Sequence, residues 1–188
     1  MLPVNNITFH PAHCDTVFTL VGAGSYSDAL YRSIDTGITW QFVDWFVCPY
    51  SMTICAFPYI ILLGCIDDYG IYKSEQEDFG ETWEHIGRTD NMPYSQITCV
   101  AIVEENIIYA GYYDEKEKSC GIQMTTNGGR DWRKLPIILD DDLIDILVDS
   151  GEPKKFYLAI KSSPGIKFFE YNISNLNKLE NKKVVIKR

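Results

Sequence analysis

The chain has 188 residues, 46% of them hydrophobic and 13% aromatic, with a formal net charge of −9. That length makes one domain able to bury roughly 70% of its unfolded surface, and the composition implies order nearly throughout, with only 175–188 looser. Lys and Arg are scattered through an acidic chain, which excludes nucleic acid and anionic membranes as partners because both would be repelled.

In chain order, short apolar runs alternate with turn signals. The first unit predicts strands over Ile7 to Phe9, Val17 to Val21, Ala29 to Ser33 and Gln41 to Phe46. The second opens on Pro49-Tyr50-Ser51 with Cys55 in its first strand, and continues through Ile60 to Gly64 and Gly70 to Ser74. The third opens on Pro93-Tyr94-Ser95, 44 residues later, with Cys99 equivalent to Cys55, then Ile107 to Gly111 and Gly121 to Thr125. The fourth runs through Leu143 to Val148, Phe156 to Lys161 and Gly165 to Tyr171. Strand-forming residues return at Val184 to Ile186, which suit either the outer strand of that unit or closure against the first.

Between the third and fourth strands of three units stands one motif, S/T-x-D/N-x-G-x-T-W. It reads Ser33, Asp35, Gly37, Thr39, Trp40; then Asp78, Gly80, Thr82, Trp83; then Thr125, Asn127, Gly129, Asp131, Trp132. The tryptophans recur 43 and 49 residues apart, a period that signals a propeller or related array. Asp or Asn bonds its own backbone two residues on, Gly supplies the positive φ of a tight turn, and Trp brings on the order of 200 Å² to lock one sheet on the next. In the fourth unit the corresponding Asn172 to Asn177 contains neither Gly nor Trp.

These segments resemble the Asp-box (BNR) repeat families: sialidases, xyloglucan-cleaving glycosidases, the sortilin ectodomain and the propeller that helps assemble photosystem II. The resemblance implies an all-β β-propeller of about four four-stranded blades (roughly 5–47, 50–90, 94–138 and 143–188) in a single domain spanning 1–188. Familiar members have six or more blades, so a half-ring completed by a second copy or another subunit, or a piece of a longer protein, is an alternative to a closed ring. In those families the box hairpins lie away from the ligand site, so they speak for fold and not for function.

Catalytic sets are hard to assemble from this sequence. Sialidase chemistry needs three converging arginines, yet Arg32, Arg130 and Arg133 all sit at boxes. Other glycosidases need two carboxylates about 5–9.5 Å apart, and none is singled out. His10, His13 and Cys14 read as an incidental loop cluster, His85 as surface, and Gly22-Ala23-Gly24 lacks the helix of a phosphate loop. The run Asp140, Asp141, Asp142, Asp145, Asp149 lacks the glycine of a calcium loop and reads as a solvated segment, so no metal and no cofactor are expected. Six cysteines without CxxC spacing suit buried reduced thiols, favouring the cytoplasm over secretion despite acceptor triplets at Asn6 and Asn172. No cationic segment and apolar stretch opens the sequence, and the longest apolar run is broken by Pro58, so a soluble chain is expected.

Topology supplies the remaining site argument. Loops opposite the boxes gather Tyr26, Asp28, Tyr50, Asp67, Asp68, Tyr69, Tyr94, Tyr112, Tyr113 and Asp114, where aromatics and carboxylates suit a sugar ring or a protein anchor. The expected function is a non-catalytic binding or assembly module with a protein partner, a homodimer included. The alternative is a glycan-directed protein, either a hydrolase with paired carboxylates or a carbohydrate-binding propeller.

Overall fold

Strands whose successive side chains are all apolar must be covered on both faces, and β-sheets stacked like blades provide that cover. The computed structural model describes residues 3–10, 13–22, 27–47, 49–54, 60–65, 70–74, 80–87, 92, 96–139, 142–148, 155–162, 165–172 and 184–186. Among them every regular element is a strand.

The first sheet is β1 (Val4–Phe9), β2 (Val17–Val21), β3 (Asp28–Ser33) and β4 (Gln41–Phe46), each antiparallel to the next. The second is β5 (Pro49–Ile54), β6 (Ile61–Cys65), β7 (Gly70–Ser74) and β8 (Glu84–Gly87). The third runs β9 (Ile97–Glu104), β10 (Ile107–Asp114), β11 (Ser119–Thr125) and β12 (Arg133–Leu139), and the fourth β13 (Asp142–Val148), β14 (Lys155–Ser162) and β15 (Gly165–Asn172). The four sheets are arranged as a four-bladed β-propeller, with the leading strands β1, β5, β9 and β13 in contact in succession.

The last strand, β16 (Val184–Ile186), takes neither place the sequence left open for it. It pairs parallel to β12, Val184 against Ile137 and Ile186 against Leu139, as a fifth strand on the third blade. There it satisfies backbone groups along the outer edge of β12. The fourth blade consequently has three strands among the described residues.

Three apolar cores fill the three gaps between consecutive blades. Phe18, Leu20, Leu30 and Phe46 of the first blade meet Ile61 and Leu63 of the second. Leu62, Ile71 and Ile86 of the second meet Ile97, Ile108, Ala110 and Trp132 of the third. Cys99, Tyr109, Ile122, Leu135 and Ile137 of the third meet Leu143, Ile146, Phe156, Leu158 and Ile160 of the fourth. Cys99 therefore faces a blade interface, where burial pushes its thiol up to about 12 and the Tyr109 phenol likewise up to about 12. Cys65 and Cys120 are buried as well, while Cys14 is exposed.

Candidate functional site

The boxes build two hairpins with the same bonding. In the first, Ser33 Oγ accepts from the Gly37 N–H at 2.8 Å, Asp35 Oδ1 accepts from the Thr39 N–H at 2.8 Å, and Trp40 Nε1 donates to the Gly37 carbonyl at 3.1 Å. In the third, Thr125 Oγ1 accepts from Gly129 N–H at 3.0 Å, Asn127 Oδ1 from Asp131 N–H at 3.0 Å, and Trp132 Nε1 donates to the Gly129 carbonyl at 3.1 Å. The second keeps the last of these, Trp83 Nε1 to the Gly80 carbonyl at 2.8 Å, while Asp78 lies outside the described residues. Thr82 sits in the turn before β8.

The Thr39 hydroxyl and N–H, with the Ser33 hydroxyl, hold the Asp35 carboxyl down at about 2. Its folded value lies below the ordinary carboxylate value of about 4. The box contribution is therefore whole above about pH 4 and lost as pH falls through about 2. Asp35→Asn is expected to abolish that acid step at this hairpin, because the amide does not titrate. A carboxyl carbon NMR titration of Asp35 checks it, and a midpoint near 4 counts against the bonding described.

At the opposite end the candidate residues are partly within view. Tyr26, Asp67, Asp68, Tyr69 and Tyr94 lie outside the described residues, and Tyr50 is on β5 without a described side chain. Asp28 is buried and accepts from Asn5 Nδ2 at 2.5 Å. Tyr112 is buried across Gly121, with the Lys134 ammonium 5.3 Å from its ring centre. Tyr113 packs against the core between the third and fourth blades. Asp114 is buried and accepts from the Lys116 and Glu117 N–H groups at 3.0 and 3.2 Å, which caps the turn after β10. These four side chains thus hold strands and turns together at this end.

The loop between β1 and β2 brings the His10 and His13 rings to 4.7 Å with their planes tilted by 57°, and His10 Nδ1 accepts from the His13 N–H at 3.1 Å. Burial, helped by the neighbouring His13, lowers the pKa of His10 against the pull of Asp15. Among the described residues no three His, Cys, Asp or Glu groups come together as a metal site.

The exposed apolar surface lies elsewhere, on the outward faces of the first and last blades. Cross-strand pairing puts Ile7, Thr19, Tyr31 and Phe42 in one row, Val4, Val21, Ala29 and Trp45 in the next, and Phe9 with Val17 and Ser33 in a third, all on the face turned away from the second blade. Val4, Ile7, Phe9, Phe42 and Trp45 are all exposed, Trp45 to 58%, and the Phe42 ring lies 5.6 Å from Trp45 and 5.9 Å from Tyr31. On the fourth blade Ile166, Phe168 and Leu147 are exposed on the face turned away from the third, beside Ala159 and Tyr157.

No protein-family model and no curated protein matches the sequence. Solved structures do. A GH74 enzyme from Niastella koreensis superposes with a TM-score of 0.65 at 15% identity, over 92% of this chain and 29% of that one. An ancestral GH74 enzyme superposes at 0.67 and 16% identity, over 91% of this chain and 26% of that one. The likeness is one of fold. The chain spans less than a third of the length of either enzyme.

The end faces were not among the residues singled out from sequence, although a signal for them exists. The outer strand β4 carries Phe42, Val43, Trp45 and Phe46, apolar on both of its faces, as only a strand covered from both sides normally is. Val43 and Phe46 find the second blade; Phe42 and Trp45 face solvent.

Proposed function

We propose that the chain is a non-catalytic Asp-box propeller that serves as an assembly module, and that it assembles through the outward faces of its end blades. One observation carries this reading: Val4, Ile7 and Phe9 along β1 and Phe42 and Trp45 on β4 leave exposed apolar side chains at both edges of one face of a folded sheet. Soluble chains seldom leave such a patch open unless it meets a partner, and aromatic side chains are the residues that anchor partners. The paired box hairpins support membership of the Asp-box repeats, whose sequence match is confined to those segments. The test is the native size of the tagged chain in extracts of its own cells. Wild type is expected to elute well above its own 21.5 kDa and Trp45→Asp to elute smaller; wild type eluting as a lone chain sinks the reading.

A second reading, a glycan-directed protein, is favoured by the fold likeness to the two GH74 enzymes. Its enzymatic form needs a carboxylate pair at glycosidase spacing, and both Asp28 and Asp114 are engaged in structural bonds. Release of reducing ends from xyloglucan by the purified chain would establish it, and no release at high enzyme concentration would remove it.

A further inference from the structure

The same position in each blade has a different fate at the end of the array. Ser33 pairs with Val17, Ser74 with Ile61, Thr125 with Ile108 and Tyr171 with Phe156, which aligns the four blades residue by residue. Three residues before these lie Leu30, Ile71, Ile122 and Phe168, each aimed at the following blade. The first three are 0% exposed, and Phe168, which no further blade covers among the described residues, is 74% exposed. The opposite faces tell the same story in reverse. Trp132 is 8% exposed and its Nε1 also donates to the Ile86 carbonyl of the preceding blade at 3.1 Å. Trp83 packs edge-on against Phe46 of the preceding blade at 4.7 Å, and Trp40, which no other blade covers among the described residues, is 41% exposed. The fourth blade thus exposes a forward face and the first a backward face, the two kinds of face that meet in the three interfaces between described blades.

We infer that two copies of this chain associate head to tail, the outward face of blade four (Phe168, Ile166, Leu147) of each docking on the outward face of blade one (Trp45, Phe42, Ile7, Trp40) of the other. This rests on the assembly reading above and names its partner. A second copy is the occupant because its own forward and backward faces complement both exposed faces at once, and a two-fold axis then closes the contact instead of propagating it. Eight blades fall at the upper end of known propellers. A three-stranded face such as that of blade four, with about seven residues per strand, covers about 300 Å². Two such contacts, each burying both partners, reach about 1,200 Å², the lower end of a stable interface. Each copy carries a charge of −9, so the association tightens as salt screens the repulsion.

Sedimentation velocity of the purified chain, at low and high salt, tests this. The expected species is a dimer of twice 21.5 kDa, favoured by salt. Phe168→Asp and Trp45→Asp, both at exposed positions and with unchanged circular dichroism, are each expected to give monomers; Phe168→Ser serves where the acid unfolds the sheet. An equimolar mixture of the two variants keeps one intact contact and is expected to regain part of the association, at least tenfold weaker than wild type. A dimer broken by Trp45→Asp but not by Phe168→Asp pairs like faces and overturns the head-to-tail ring. A monomer at every concentration and salt overturns the self-partner. If that monomer still elutes as a large species from its own cells, the assembly reading stands with a different protein as partner; if it elutes alone there as well, both fall.

Discussion

Trp132→Ala is expected to cost about 3–5 kcal/mol, the range for removing a fully packed aromatic side chain, whereas Trp40→Ala is expected to cost about 1 kcal/mol. The two residues hold equivalent places in equivalent hairpins, and each donates its indole N–H to the glycine carbonyl three residues back at 3.1 Å. What differs is the neighbour. Trp132 fills the gap between the second and third blades among Ile86, Met92 and Ile108 and also bonds the Ile86 carbonyl. Trp40 has no other blade against it among the described residues and is 41% exposed. Trp83, packed on Phe46 but part-exposed, falls between them. Thermal unfolding at concentrations where the chain is monomeric reads the series. At roughly 2–4 °C per kcal/mol for a domain of this size, Trp132→Ala lowers Tm by about 6–20 °C. Equal losses at Trp40 and Trp132 would mean that the tryptophans act within their own hairpins and that the interblade role assigned to them is wrong.

The blade repeat was legible because its determinants are local. Ser33, Asp35 and Gly37 close their turn with their own backbone, and Thr125, Asn127 and Gly129 repeat it, so a short window of sequence carries the geometry. Strand positions followed from the same alignment, since Ile61 and Ile108 recur in register with Ser74 and Thr125 before their boxes, and Phe156 with Tyr171 where the fourth box is lost. The fate of β16 was not legible, because three apolar residues at the end of a long connection carry no record of which sheet edge they meet. Nor was the role of Asp28 or Asp114. Topology places both at the loop end, but the bond that Asn5, seventeen residues before the Gly22 carbonyl it also bonds, makes across to Asp28 is a tertiary contact that no local pattern records. The end faces stayed hidden for a related reason. Periodicity identifies Phe42 and Phe168 as interior residues, and nothing in a sequence says that both stand exposed on the folded chain.

Gly129→Ala is expected to cost about 2–5 kcal/mol and Gly37→Ala only about 1–2 kcal/mol. Both glycines have positive φ, +99 and +87, and an L side chain there costs about 1–2 kcal/mol from the backbone alone. At Gly37 the nearest atom to an added Cβ is the Trp40 ring at 3.6 Å, an ordinary contact, so the backbone term is the whole cost. At Gly129 the added methyl would sit 2.6 Å from Ile86 Cβ and 2.9 Å from the Ile86 carbonyl oxygen, both of the preceding blade. Neither atom is the end of a flexible chain, so the two blades must move apart, adding about 1–3 kcal/mol of overpacking. That displacement acts on the 3.1 Å bond between Trp132 Nε1 and the Ile86 carbonyl. Trp132→Phe, which removes the donor, should therefore cost less in the Gly129→Ala background than in wild type, and a double-mutant cycle from urea unfolding reads the difference as a coupling of about 0.5 kcal/mol or more. Additive costs would place the strain of Gly129→Ala within the hairpin and separate it from the blade contact, leaving Trp132 as the lone interblade tie of that box.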